Sequence, residues 1–202
     1  MNIFKPVKNF SKGRTQQVKG ICVHITDSGA WQAYRTFDNP NEKKSSHYLI
    51  LRTGEIWQMV KEEDIAWAQG LKVNPTAQLI LENINLNPNE ILISIEHEAF
   101  SGQDLTEIQY VNSAKLISEI CERYGLERNT ETIIKHNSVR SDKYCPGLVN
   151  ISKLINLTYN PPQVSEIESL KIKISLMTKI LELLKSISFY KKLGSIEDER
   201  GL

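Results

Sequence analysis

The chain has 202 residues, 40% of them hydrophobic and 24% charged, enough to bury a core without staples and to make one ordinary globular domain plus an appendage. Its formal net charge of +1 gives no electrostatic case for a nucleic-acid partner, which requires a basic excess on one face. Three cysteines, Cys22, Cys121 and Cys145, are too few and odd in number for a disulfide framework, so reduced thiols or a metal ligand are expected.

The first fourteen residues, MNIFKPVKNFSKGR, lack the continuous apolar run of a signal peptide, and no stretch reaches the length of a bilayer-spanning helix. The expectation is a chain made in the cytoplasm. Val18 to Thr26 is rich in β-branched residues and ends at Asp27-Ser28-Gly29, the pattern of a strand closed by a turn. Alternation puts Cys22 and His24 on one face and Ile21, Val23 and Ile25 on the other. Gly29 to Phe37 has helical character, with Trp31, Tyr34 and Phe37 on one side, and stops at Asp38-Asn39-Pro40. Ser46 to Leu51 and Ile56 to Val60, joined by Arg52-Thr53-Gly54-Glu55, predict a hairpin.

An acidic piece from Lys61 to Gly70 precedes Leu71 to Glu90, which is dominated by Asn, Pro and Leu and predicts a surface loop with at most one helical turn. Ile91 to Glu96 is a continuous apolar run ending on a carboxylate, as in a central strand covered on both faces. Thr106-Glu107-Ile108-Gln109 reads as a capping box. The helix it opens carries Ile108, Val111, Leu116, Ile117, Ile120 and Tyr124 and is closed by Gly125. Ile133-Ile134 form a short strand that delivers His136. Strands alternating with helices make this an α/β domain over residues 1–160.

Residues 161–202 form a second region. Ser165-Glu166-Ile167-Glu168 is another capping box, and Ile167, Leu170, Ile174, Met177, Leu181 and Leu184 follow at three-four spacing towards Gly194, predicting a C-terminal amphipathic helix. Ile172, Leu176, Ile180, Leu183 and Ile187 widen its apolar face. Such a face needs cover from the catalytic body, from a second copy through self-association, or from a membrane surface, for which Lys171, Lys173, Lys179, Lys185, Lys191 and Lys192 are a weak pointer.

The chemistry centres on Ile133 to Gly147, IIKHNSVRSDKYCPG, which holds His136 and Cys145 on a polar turn. An imidazole and a thiolate together suit a borderline-soft divalent metal, usually zinc. His24, at the end of the first strand, is the third candidate, and the set leaves one tetrahedral position open for water. Cys22 competes with Cys145 for that role, but a small buried hydrophobe beneath the site fits it better. A different reading makes Cys145 a nucleophile with His136 as its base.

In order, VHIT, SSHYLI with LRTGEIWQMV, ISIE and KHNSVRSDKYCPG resemble the motifs of zinc-dependent N-acetylmuramoyl-L-alanine amidases, relatives of bacteriophage endolysins and peptidoglycan-recognition proteins. The resemblance spans Gly20 to Asn156. It implies a central mixed β-sheet flanked by helices, with a zinc groove on one side. The implied reaction is hydrolysis of the amide between the lactyl group of N-acetylmuramic acid and L-alanine, so the implied partner is peptidoglycan or a muropeptide. By the same resemblance His24, His136 and Cys145 are the zinc ligands, Glu96 activates the attacking water, and Lys143 lies beside the developing oxyanion. Zinc chemistry gives a carboxylate and a cation those tasks on general grounds.

The chain departs from the pattern twice. Some members carry a tyrosine where Ser46 stands, which leaves Glu96 more of the work, and the familiar AWHxG is here Ala66-Trp67-Ala68-Gln69-Gly70. Ser46, Trp67 and Gln69 are the candidates for substrate contact, the Gln69 amide standing in for the missing histidine. His47 and His97 face away from their neighbours Ser46 and Glu96 and are expected to support the fold or the site from behind. A domain that binds the wall without cutting it is the remaining alternative, although all three ligands are present. The appended helix favours phage-type lysis over recycling of wall fragments.

Overall fold

The sheet grows outward from two neighbouring strands in which every residue is buried, a consequence of unbroken runs of β-branched and apolar side chains. The computed structural model describes residues 2–159 and 175–185. In chain order the strands are β1 (Ile3–Phe4), β2 (Phe10–Ser11), β3 (Gly20–Ile25), β4 (Tyr48–Ile50), β5 (Ile56–Gln58), β6 (Ile65–Ala66), β7 (Leu92–His97) and β8 (Ile133–Lys135). The helices are α1 (Ala30–Asp38), α2 (Gln78–Glu82), α3 (Pro88–Ile91), α4 (Glu107–Tyr124), α5 (His136–Val139) and α6 (Ile151–Tyr159).

Six strands form one mixed sheet in the order β1-β5-β4-β7-β3-β8, and β2 pairs with β6 separately. Only the predicted β4–β5 hairpin runs antiparallel within the main sheet; β7 is parallel to both β4 and β3, and β3 is parallel to β8. The carboxyl ends of β3, β7 and β8 therefore lie side by side, the place where open α/β sheets collect functional groups.

One face of the sheet is covered by α4 and α6. Ile21, Val23, Ile25, Ile93 and Ile95 pack there against Tyr110, Ala114, Ile117, Leu154 and Ile155. Helix α4 begins at the predicted capping box: Thr106 accepts from Gln109 N at 3.3 Å, and the Gln109 side chain accepts from Thr106 N at 3.0 Å. It ends at Gly125 with φ of 64°, a left-handed conformation that glycine adopts without a Cβ clash. On the other face Cys22 packs with Ile80, Ile91, Leu92, Ile134 and Val139, so it is the small buried hydrophobe expected of it.

Three elements differ from the sequence reading. Helix α1 buries Ala30, Ala33 and Phe37, because alanines let its backbone lie close to the sheet. Trp31 is displaced to the rim at 57% exposure, edge-on to Trp57 at 5.1 Å with Lys5 Nζ 3.9 Å from its ring centre. The stretch read as a loop over 71–90 holds two short helices, α3 starting with Pro88 after an Asn87 cap. Helix α6, absent from the reading, buries Ile151, Leu154, Ile155 and Thr158 at helical spacing.

Residues 175–185 belong to a separate unit, Pro162–Leu202, and are helical. Leu176, Met177, Ile180, Leu181, Leu183 and Leu184 are exposed on that helix. The capping box at 165–168, Leu170, Ile172, Ile174, Ile187, the Gly194 stop and Lys171, Lys173, Lys191 and Lys192 lie outside the described residues. Among the described residues no helix is long and apolar enough to cross a membrane.

Candidate metal centre

Parallel pairing of β3 with β7 sets His24 directly beside Glu96. His136 is the first residue of α5, where β8 has just ended. Cys145 arrives on the loop that follows, tied down by Asn137 N donating to Cys145 O at 2.8 Å and by Ile25 N donating to Cys145 Sγ at 3.2 Å. Three segments far apart in sequence thus deliver two imidazoles and one thiol.

Their donor atoms all lie within 4.8 Å of one another. Cys145 Sγ is 3.8 Å from His24 Nδ1, and the two imidazole centres are 4.4 Å apart. Tetrahedral zinc with its usual bond lengths puts neighbouring ligand atoms about 3.3–3.8 Å apart, so the residues fit such an ion with small adjustments. Burial, and for His24 also the neighbouring His136, holds both imidazoles below the ordinary histidine range, His24 far below it. Both are therefore neutral and able to donate a lone pair. Burial, then the nearby Glu96, pushes the Cys145 thiol well up. A divalent cation is what would make it a thiolate, and as a free nucleophile it is poorly poised.

Glu96 is buried, and its Oε2 is the one buried side-chain polar atom without a partner among the described residues. Burial raises its pKa to about 8. An orphaned carboxyl oxygen is costly unless a ligand or water completes it. Glu96 is one wall of a cavity of about 600 Å³ that His24, His136, Cys145, Lys143 and Trp67 also line. The cavity shares Lys43, Trp67 and Gly70 with a neighbouring one of about 730 Å³, so the groove runs on past Trp67.

The remaining candidates are placed differently. Gln69 reaches the cavity lining but is almost wholly buried, with its Oε1 3.1 Å from His24 Nε2. Trp67 is half-buried, its Nε1 donating to Ser11 Oγ at 3.0 Å. Ser46 is wholly buried just ahead of β4, its hydroxyl spent on the carbonyls of Tyr48 and Ser94 at 3.1 and 3.0 Å; its neighbour Ser45 lines the cavity instead. His47 is buried against Arg14 and Ser94. His97 supports the site from behind, Nδ1 donating to the backbone oxygen of His24 at 2.9 Å while Nε2 accepts from Ser113 Oγ at 2.8 Å.

Asn89 escaped the sequence reading. Its Oδ1 accepts from Ala68 N and Gln69 N at 3.0 and 2.9 Å, which shapes the loop that carries Gln69. The only signal was the cap-like Asn87-Pro88-Asn89-Glu90, and nothing in it points to a partner twenty residues upstream.

Two neutral imidazoles, a thiol and an unpartnered carboxyl around one open groove form a donor set of the kind found in mononuclear zinc hydrolases. The chain belongs to the Amidase_2 family, N-acetylmuramoyl-L-alanine amidase, which matches residues 14–148. It is 26% identical over 159 residues to N-acetylmuramoyl-L-alanine amidase CwlL of Bacillus licheniformis, covering 71% of this chain and 42% of that protein. With N-acetylmuramoyl-L-alanine amidase A of Achromobacter lyticus it shares 28% identity over 115 residues, 55% of this chain and 56% of the relative. The chain thus spans about half the length of these curated relatives. In fold it is similar to the crystal structure of a selenomethionine AmpD derivative, with a TM-score of 0.61 at 20% identity over 77% of this chain and 93% of that one.

Proposed function

We propose that the protein is a zinc-dependent peptidoglycan hydrolase that cleaves the amide between N-acetylmuramic acid and L-alanine of the stem peptide. The observation that carries this reading is the orphaned Glu96 carboxyl in the same groove as the His24, His136 and Cys145 donors, on a chain of the amidase family. The named relatives are amidases of that bond.

His24, His136 and Cys145 would hold the ion. What zinc supplies when bound is Lewis acidity, towards the scissile carbonyl and towards the attacking water. Glu96 takes the proton of that water and passes it to the departing amide nitrogen, a task suited to a carboxyl whose proton affinity burial has raised. Lys143, on the cavity wall, is the cation we assign to the carbonyl oxygen as it gains charge, a stabilisation present only in the transition state. Trp67, exposed on one side of the groove, supplies an apolar surface for sugar or peptide.

The test is release of new N-terminal L-alanine from purified peptidoglycan, with native protein, with chelator, and with chelator followed by zinc. Chelation is expected to abolish release and zinc to restore it. Zinc binding without any L-alanine termini would make the domain a binder, and activity indifferent to chelation would return the chemistry to the Cys145 thiol.

A further inference from the structure

Gln69 sits where the two histidines meet. Its Oε1 is 3.1 Å from His24 Nε2, and its main-chain oxygen is 3.3 Å from His136 Nε2. Both partners on Gln69 are acceptors, so each imidazole is the donor and carries its proton on Nε2. The amide is oriented by the same logic. His24 Nδ1 faces Cys145 Sγ and must be bare to bind an ion, so Nε2 bears the hydrogen and Oε1 receives it.

The clamp is itself held. Gln69 is 1% exposed, and Asn89 Oδ1 accepts from its N–H and from that of Ala68. Asn89 is in turn fixed by its N–H donating to Asn87 Oδ1 at 3.0 Å and its carbonyl accepting from Arg14 Nη1 at 3.0 Å. The chain then turns at Gly70, with φ of 63°, a left-handed conformation that glycine adopts without a Cβ penalty.

We infer that Gln69 is the positioning residue of the metal centre, holding His24 with its side chain and His136 with its backbone carbonyl so that both Nδ1 atoms face the ion. Metal-bound histidines gain orientation and a defined tautomer when the second ring nitrogen donates to a fixed acceptor, and losing that acceptor commonly costs 10–100-fold in metal affinity. One residue serving both ligands couples their orientations, so it acts through the histidines rather than by touching substrate. The inference rests on the zinc reading above.

Its test is zinc affinity, measured by competition with a chromogenic chelator, and imidazole ¹⁵N shifts, on the full chain and its Gln69→Leu and Gln69→Glu variants. The wild-type protein is expected to bind zinc through Nδ1 of both histidines and, metal-free near neutral pH, to show both as Nε2–H tautomers. Gln69→Leu is expected to bind zinc about 10–100-fold more weakly, with His24 distributed over both tautomers. Gln69→Glu keeps the acceptor and is expected to stay within a few-fold of wild type. Coordination through Nε2 in the wild type, or unchanged affinity in Gln69→Leu, overturns the inference. The ¹⁵N assignment of the wild type decides it even if Gln69→Leu does not fold. Failure of the wild-type protein to bind zinc is a different result and refutes the zinc reading itself.

Discussion

Replacing Glu96 by Gln should inactivate the protein and, once metal has been removed, stabilise it in alkali. The side chain is buried, with Oε2 unpartnered and a pKa raised by burial from 4.5 to about 8. A folded-state pKa above the unfolded value means that the folded protein holds the proton more tightly. The associated stability is therefore fully present below pH 4.5 and is lost as pH rises through 8. Each pH unit across that window costs about 1.4 kcal/mol, so the total is on the order of 3–5 kcal/mol. Glutamine mimics the protonated acid in shape and does not ionise. In urea titrations of chelator-treated protein the variant should match wild type near pH 4.5 and gain on it steadily up to about pH 8. Added zinc should narrow the gap, because a nearby cation favours the carboxylate. A difference that stays constant from pH 5 to 8 would refute the assignment of Glu96 as a buried, unpaired acid.

Lys143→Met should lower kcat by about 10–1,000-fold with KM changed far less, since the ammonium is assigned to charge found only in the transition state; a loss confined to KM would make it a substrate-binding residue. On the acid side the sign reverses. Burial lowers His97 to about 4 and His47 to about 3, so the stability they lend is present above their unfolded value of 6.5 and is lost as pH falls through 4 and 3. Each costs at most about 1.4 kcal/mol per pH unit, and urea titrations from pH 7 to 4 that show no decline would contradict this. Thr106→Ala removes the α4 cap and should cost about 1 kcal/mol, or about 2–4 °C in Tm, by thermal melting. Cys145→Ala should abolish tight zinc binding in equilibrium dialysis while the chain stays folded; retained stoichiometric zinc would remove the thiol from the ligand set.

The sequence by itself determined the elements whose information is local. Periodicity and end signals placed β3, β7, the β4–β5 hairpin and α4 with its Thr106 and Gly125 ends, because strand burial, capping and left-handed closure depend on residues a few positions apart. The same locality set His136 and Cys145 on one polar turn as metal-ligand chemistry. Helix α6 carried a readable signal too, in Ile151, Leu154, Ile155 and Thr158, which the reading passed over. Other facts had no local signature. The register that sets His24 beside Glu96 comes from parallel pairing of strands some seventy residues apart. Whether a polar side chain lines the groove or supports it depends on which face the turn presents, and a one-residue difference separates Ser45 on the cavity wall from Ser46 buried beneath it with its hydroxyl bonded to backbone. Gln69 looked like a groove residue because it lies in the position of a family motif. The tertiary structure turns it inward onto His24, since Asn89, on a helix read as loop, binds the N–H groups on either side of the Ala68–Gln69 bond and no spacing rule links those segments.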